Sequence, residues 1–328
     1  MRRVLAVQGQ DPRGFRLAVR ARTAGVTAAD VESGLTERRS LVVSWLNRGT
    51  LHLVAAEDLW WLHDLTTPQL ASASAHRLQQ EGVSPALAEL GIETVLTEVG
   101  THGPRTREEL KVALDAAGVP TRGQALVHVL LAATLRHRLV RGPVDGGEHR
   151  MVLATDWLGP APEPLEREEA LARLARRYLA GHGPAADRDL AMWAKLPLRD
   201  VRLGLAAIAD ETVVTPDGLV DLAERAEPAP LRPRLLGSFD PILHGWVSRD
   251  AVLGPHEPAV VAGGIFRSFA IDDGRAVAGW RIGGGRVRIA PFAPLPPATE
   301  HALVADAHAV LAFLGMPDRD PVLEPPAG

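Results

Sequence analysis

Residues 185–222, AADRDLAMWAKLPLRDVRLGLAAIADETVVTPDGLVDL, read as two short helices followed by a tight β-hairpin. ADRDLAMWAKL supplies the first helix, LRDVRLGLAAIAD the second, and TVVTPDGLVDL the hairpin, each from its hydrophobic periodicity and turn residues. Helix, turn, helix and hairpin together make a winged-helix module. Its second helix is the usual candidate for the DNA major groove and its hairpin for contact with the phosphate backbone.

The same grammar recurs twice upstream, at spacings near 80 residues. In the second copy Thr106 caps REELKVALDAAG with Glu109 three residues on, a capping-box spacing. Residues 121–138 supply the longer second helix, and the strands LVRG and HRMVLA flank a Gly-rich turn at 143–148. In the first copy, 28–34 (AADVESG) and 39–47 (RSLVVSWLN) read as helices and 50–54 (TLHLV) as a strand. A single copy would suit a helical scaffold as well as a DNA-binding unit. Three copies with basic flanks favour DNA.

Proline-rich linkers at 159–164 and 227–233 can be neither helix nor central strand. Beyond the second, VVAGGIFRSFAI, RAVAGWRI and RVRIAPF alternate with turns at 272–274 and 283–285, an antiparallel meander. A helix over 298–314, ended by Gly315 and Pro317, is expected to pack on that sheet. The fold class that follows is α+β: tandem winged-helix modules, then a small barrel-like antiparallel β region and a C-terminal helix. The expected units are 1–100, 101–158, 165–227 and 234–328.

The 328 residues suffice for several buried cores, and 46% hydrophobic with 23% charged residues is the balance of a folded chain. With no cysteine there are no disulfides, no thiolate nucleophile and no cysteine-held zinc of the nucleobase-deaminase kind. No metal-ligand spacing such as HExxH occurs, and the run at 283–285 lacks the strand-to-helix context of a phosphate loop. No cofactor and no metal are expected. The N-terminal apolar run is too short for a signal peptide and no window is long enough for a membrane span, so a cytoplasmic protein without membrane contact, acting as a monomer, is the expectation.

A net charge of −4 opposes a polyanionic partner at first sight, but residues 1–48 hold nine arginines against four acids. Within that basic segment lies Gln8-Gly9-Gln10. In an extended segment residues i and i+2 face the same side, so both amides could address one ligand while Gly9 faces away. The plainer alternative is a polar turn ahead of Asp11-Pro12, its amides spent on backbone.

The stretches VQGQDPRG (7–14), RGTLHLVAAEDLWWL (48–62), SFDPILHGWVSRD (238–250) and GGIFRSFAIDDGRAVAGWR (263–281) resemble the AlkZ/YcaQ-like winged-helix DNA glycosylases, over nearly the whole chain. The resemblance implies a C-shaped array of winged helices around a basic channel for double-stranded DNA, and hydrolysis of the N-glycosidic bond of N7-alkylated guanines, in some members within interstrand crosslinks. The family's Gln-apolar-Gln motif falls on Gln8 and Gln10, with Gly9 between them. An amide can orient water but is no ordinary general base. An N7-alkylated guanine is already cationic and departs with little acid help, so a positioned water and a stabilised oxocarbenium-like sugar suffice.

Arg13, Arg16 and Arg48 are candidates for phosphate contact, and Thr50 and His52 for contact with DNA or an extruded nucleotide, with a structural histidine as the alternative for His52. Asp240 and Arg267 are secondary candidates, the former to hold a basic residue or a water, the latter with a scaffold role as its alternative. Trp60 and Trp61, on an apolar helix, read as core rather than stacking platform. The competing functional reading is a non-catalytic winged-helix DNA-binding protein, a regulator or lesion-shielding factor.

Overall fold

Asp11 accepts a hydrogen bond from the Arg13 amide and Pro12 sits in the first turn, so the chain leaves the short strand β1 (Ala6–Gln8) directly into helix α1 (Pro12–Arg20). A capping box between Thr27 and Asp30 then starts α2 (Ala28–Thr36), which is followed by β2 (Leu41–Leu46) and β3 (Thr50–Ala55). This computed structural model describes residues 1–225 and 230–326. β1 pairs antiparallel with β3, which pairs with β2, so the first unit is a winged helix with its N-terminal strand in place.

Residues 39–47, expected as a helix, are therefore a strand and its turn. Five of the six residues of LVVSWL in β2 are buried, so both faces are covered and no alternation marks the strand. The β-branched and aromatic content was the usable signal.

Helices α3 (Leu59–Thr66), α4 (Pro68–Gln80) and α5 (Pro85–His102) lead to the second unit, α6 (Arg107–Ala116), α7 (Ala125–Leu135), β4 (Leu139–Asp145) and β5 (Glu148–Leu153). The Thr106 and Glu109 capping box forms as the spacing predicts. The hairpin turn is tighter than 143–148, with Gly146 and Gly147 both at positive φ. Helix α7 is buried along most of its length against α4 and α5 and carries no lysine or arginine. It is a core helix, and the groove-reading role that its place in the module suggests does not suit it.

After α8 (Ala154–Leu158) and α9 (Arg167–His182) the third unit follows as α10 (Asp187–Ala194), α11 (Leu198–Ala206), β6 (Thr212–Val214) and β7 (Val220–Leu222). Arg105 bridges Met151 in the second unit and Ala185 bridges Val220 in the third, repeating the β1 to β3 pairing. Residues 227–229 of the second linker lie outside the described residues.

The units are not separate beads. α5 runs through residue 100, and β1-β3-β2-β4-β5 form a single five-stranded sheet, joined where Val43 meets Arg141. Asp58, fully buried, accepts from the Trp61 indole (3.0 Å) and from Arg173 (3.3 Å) and Arg177 (2.9 Å) of α9, fastening the first unit to the third. Trp60 and Trp61 lie in the core beside it.

In the C-terminal part, β8 (Arg234–Leu236), short helices α12 (Asp250–Leu253) and α13 (Glu257–Val260), the small hairpin β9 (Val261–Ala262) and β10 (Ile265–Phe266), then β11 (Phe269–Asp272), β12 (Arg275–Gly283) and β13 (Arg286–Pro291) build the expected meander. Its sheet order is β14-β13-β12-β11-β8, with β14 (Val322–Leu323) parallel to β13. α14 (Pro297–Phe313) packs on β8 and β13, as its apolar spacing predicts. No helix among the described residues is long and apolar enough to cross a membrane.

Candidate active site

The register of the first sheet sets Gln8 opposite His52, and His52 opposite Ser44. Because side chains alternate across a strand, these three project from one face, in a polar row flanked by Ala6, Val42, Leu46 and Val54 of the core. Gln8 is 7% exposed and His52 2%. Gln10 lies beyond the strand end and is exposed.

The two amides meet. Gln8 Nε2 donates to Gln10 Oε1, and Gln8 Oε1 accepts from Arg48 Nη2 at 3.2 Å. Arg48 reaches this position because the β2 to β3 turn carries Asn47 and Gly49 at positive φ and presents it between them. Its other nitrogen donates to the Trp193 carbonyl at 2.8 Å, near the C-terminal end of α10. One guanidinium thus joins the first unit to the third and fixes which end of the Gln8 amide faces Gln10. No carboxylate among the described residues pairs with Arg48, and burial, then the charge of Arg249, holds its pKa below the ordinary value.

His52 Nδ1 lies 2.9 Å from the Thr50 carbonyl, which can only accept, so the proton sits on Nδ1 and Nε2 is a bare acceptor. Burial, with Arg48 adding to it, pushes the His52 pKa down to about 3. Thr50 is half-buried and its hydroxyl has no partner among the described residues. His244, which sequence reasoning passed over, belongs to the same neighbourhood. Its pKa also falls to about 3, through burial first and then Arg48, His52 and Arg249. Its only sequence signal was its place in SFDPILHGW.

α1 seats on the loop before His244 through two glycines. A methyl group on Gly14 would collide with the Ser238 carbonyl, and one on Gly237 with Leu17 and the Gly14 carbonyl. The Ser238 hydroxyl can therefore donate to Asp11, one residue after Gln10. Gly14→Ala is expected to cost about 2 kcal/mol of stability, the usual effect of overpacking, and to move this loop away from the glutamines. Thermal unfolding of the variant against the wild type measures the loss.

The chain and its fold match a known family. The family model described as DNA glycosylase AlkZ-like covers residues 1–313. The chain belongs to the AlkZ-like DNA glycosylases. Among solved structures, the Streptomyces sahachiroi DNA glycosylase AlkZ is similar at a TM-score of 0.78 and 26% identity, over 99% of this chain and 92% of that one. No curated protein sequence matches. As an AlkZ-like DNA N-glycosylase the protein has DNA as its substrate.

The other expected residues of this AlkZ-like glycosylase divide by surroundings. Arg13 is exposed on the first turn of α1, and its guanidinium has no carboxylate partner among the described residues. Arg16, by contrast, is buried, donating to the Pro12 carbonyl (2.6 Å) and to Glu32 (2.5 Å). It could reach a phosphate only by giving up both bonds. Four of the nine N-terminal arginines are paired with carboxylates within the protein: Arg2 with Glu57, Arg16 with Glu32, Arg20 with Asp306 and Arg22 with Asp240. Much of the basic surface suggested by composition is thus consumed internally, while Arg13 and Arg48 keep their charge unmatched.

Asp240 does hold a basic residue. Fully buried, it takes Arg22 bidentately at 2.6 and 2.9 Å and also accepts from the Ile242 amide at 3.0 Å. Three of the carboxylate's roughly four acceptor sites are filled from inside the protein and its side chain is fully buried, so the residue is an anchor. Asp240→Ala is expected to cost about 3–5 kcal/mol, because the Arg22 cation would be stranded. A denaturant titration measures this, and a loss below about 1 kcal/mol would refute the anchoring role. Arg267 is exposed near β10, donates to the Ala259 carbonyl at 3.1 Å and stands apart from the glutamines in the contacts it makes. Among the described residues no group of three His, Cys, Asp or Glu could hold a metal ion.

Proposed function

We propose that the protein hydrolyses the N-glycosidic bond of N7-alkylated or bulky purine adducts in duplex DNA, with Gln8 and Gln10 positioning the attacking water. The observation that carries this reading is the hydrogen-bonded chain from Arg48 through Gln8 to Gln10. Were the motif only a polar turn, its amides would be spent on backbone; instead they bond to each other, and Gln10 is open to solvent.

The chemistry suits the groups present. Neither glutamine can carry away a proton at neutral pH, and His52 is held neutral and buried. The substrate supplies the driving force, because the alkylated purine begins as a cation and leaves as a neutral base while positive charge moves to the sugar. What remains for the protein is to place a water on the sugar's open face, the proton that this water loses as its oxygen bonds the sugar passing to solvent beside the exposed Gln10, and to hold the strand. Arg13 and Arg48 serve the strand, each as an unmatched cation for a phosphate. Arg48 also orients Gln8, which ties backbone binding to the geometry of the amides.

The test is release of free N7-methylguanine from a methylated duplex by the purified chain, with a crosslinked duplex alongside it to read unhooking. Failure to release the base from either substrate would end this reading. A duplex bound with salt-sensitive affinity but never cut would favour the non-catalytic, lesion-shielding alternative.

A further inference from the structure

Phe239 has φ +56°, a left-handed backbone that a non-glycine residue adopts only under constraint. The constraint is visible on both sides. Ser238 is bonded to Asp11, and Asp240 is held by Arg22 and the Ile242 amide. Pinned in this way, the Phe239 ring stays half-buried against two other rings. It lies nearly parallel to His244, with centroids 6.2 Å apart, and 5.4 Å from Phe266, which is itself 4.3 Å from His244.

His244 is 7% exposed, yet its Nε2 has no hydrogen-bond partner among the described residues. Simple core packing accounts for neither feature, since a leucine would fill such a space without an orphaned nitrogen or a strained backbone. The loop that carries both is seated on α1, where Ser238 donates to Asp11, one residue after Gln10.

We propose that Phe239, His244 and Phe266 form the subsite that receives the lesion-bearing purine, the phenylalanines offering their ring faces and His244 Nε2 hydrogen-bonding the base edge. This rests on the glycosylase reading of the preceding subsection. A flat heterocycle stacks on aromatic faces, and a cationic one is drawn to them more strongly than a neutral one. N7 alkylation creates that cation, so the rings favour the damaged base over ordinary guanine. His244, held neutral, adds no further charge beside Arg249, whose guanidinium already lies 5.2 Å over the Phe266 ring.

Single-turnover excision of N7-methylguanine and of N3-methyladenine, measured in wild type, His244→Phe and Phe239→Leu/Phe266→Leu, tests the assignment. The double variant should lose about 10- to 100-fold in rate, the range of base stacking on aromatic side chains. His244→Phe keeps a ring of similar bulk and should change the ratio of the two lesions by about 10-fold, while affinity for undamaged duplex stays within about twofold. An unchanged ratio in folded His244→Phe overturns the proposal. So does a loss that follows the melting temperature and undamaged-DNA affinity in both variants.

If the wild type excises nothing, the catalytic reading fails on its own, and the subsite is read by binding. A duplex carrying cleavage-resistant 2′-fluoro-N7-methyldeoxyguanosine beside 2-aminopurine brightens when the lesion leaves the stack. Brightening with wild type that is lost in either variant supports the subsite, and no brightening with wild type overturns it.

Discussion

Gln8→Ala and Gln10→Ala, singly or together, are expected to slow single-turnover excision of N7-methylguanine by about 100- to 1,000-fold, with affinity for undamaged duplex changed by less than about threefold. The amides act as one unit, since Gln8 donates to Gln10 and is itself held by Arg48. Removing either leaves the other without its partner, so the double variant should be hardly slower than the worse single. Binding should survive on the proposed reading, in which the cations and not the amides meet the phosphates. Arg48→Met removes both roles at once. It should lower both excision and duplex affinity, and the salt dependence of binding should become shallower by about one counterion. Additive losses in the two glutamine variants would show that they act independently, and full activity in the double variant would remove them from the chemistry.

How far the chain could be read in advance depended on the range of the interactions involved. The third unit was legible because its helices and hairpin are set by neighbours a few residues apart: Asp189 bonds back to the Ala186 amide, and β6 and β7 close over a short turn. Residues 39–47 misled because LVVSWL is buried on both faces, which erases the alternation that separates strand from helix. That the glutamines lie within reach of each other followed from their i, i+2 spacing, although β1 ends at Gln8 and Gln10 lies past it. Their bond to each other did not, because it depends on Arg48, 40 residues away. Nor did the anchoring of Asp240 by Arg22 across 218 residues, or of Asp58 by Arg177 across 119. Pairings of this range leave no periodic trace in one sequence. The same limit explains the basic N-terminal segment, where composition counted charges whose acidic partners include Asp240 and Asp306.

Acidification from pH 7 to pH 5 is expected to lower the melting temperature by about 10 °C, well before most carboxylates begin to protonate. Five histidines are buried and held neutral: burial pushes His52, His63 and His244 down to about 3 and His149 and His182 to about 4, from 6.5. In the unfolded chain each returns to the ordinary value and takes up a proton as pH falls through about 6.5. The folded state cannot follow until pH 3–4. Unfolding therefore binds protons across this interval, and stability that is complete above pH 6.5 drains away below it, by up to about 1.4 kcal/mol per pH unit for each histidine. Several acting together would consume a typical total stability of about 5–15 kcal/mol within a few pH units. Calorimetry at intervals from pH 8 to 4.5 measures the slope, and imidazole proton shifts that stay constant down to pH 5 in the folded protein would identify its source. A flat melting temperature over that range would refute the account. The same neutrality bears on catalysis. With His52 and His244 uncharged, the excision rate should be level between pH 6 and 8, because no site histidine gains or loses a proton there. On the proposed reading, a cationic lesion then meets no charged histidine at His52 or His244.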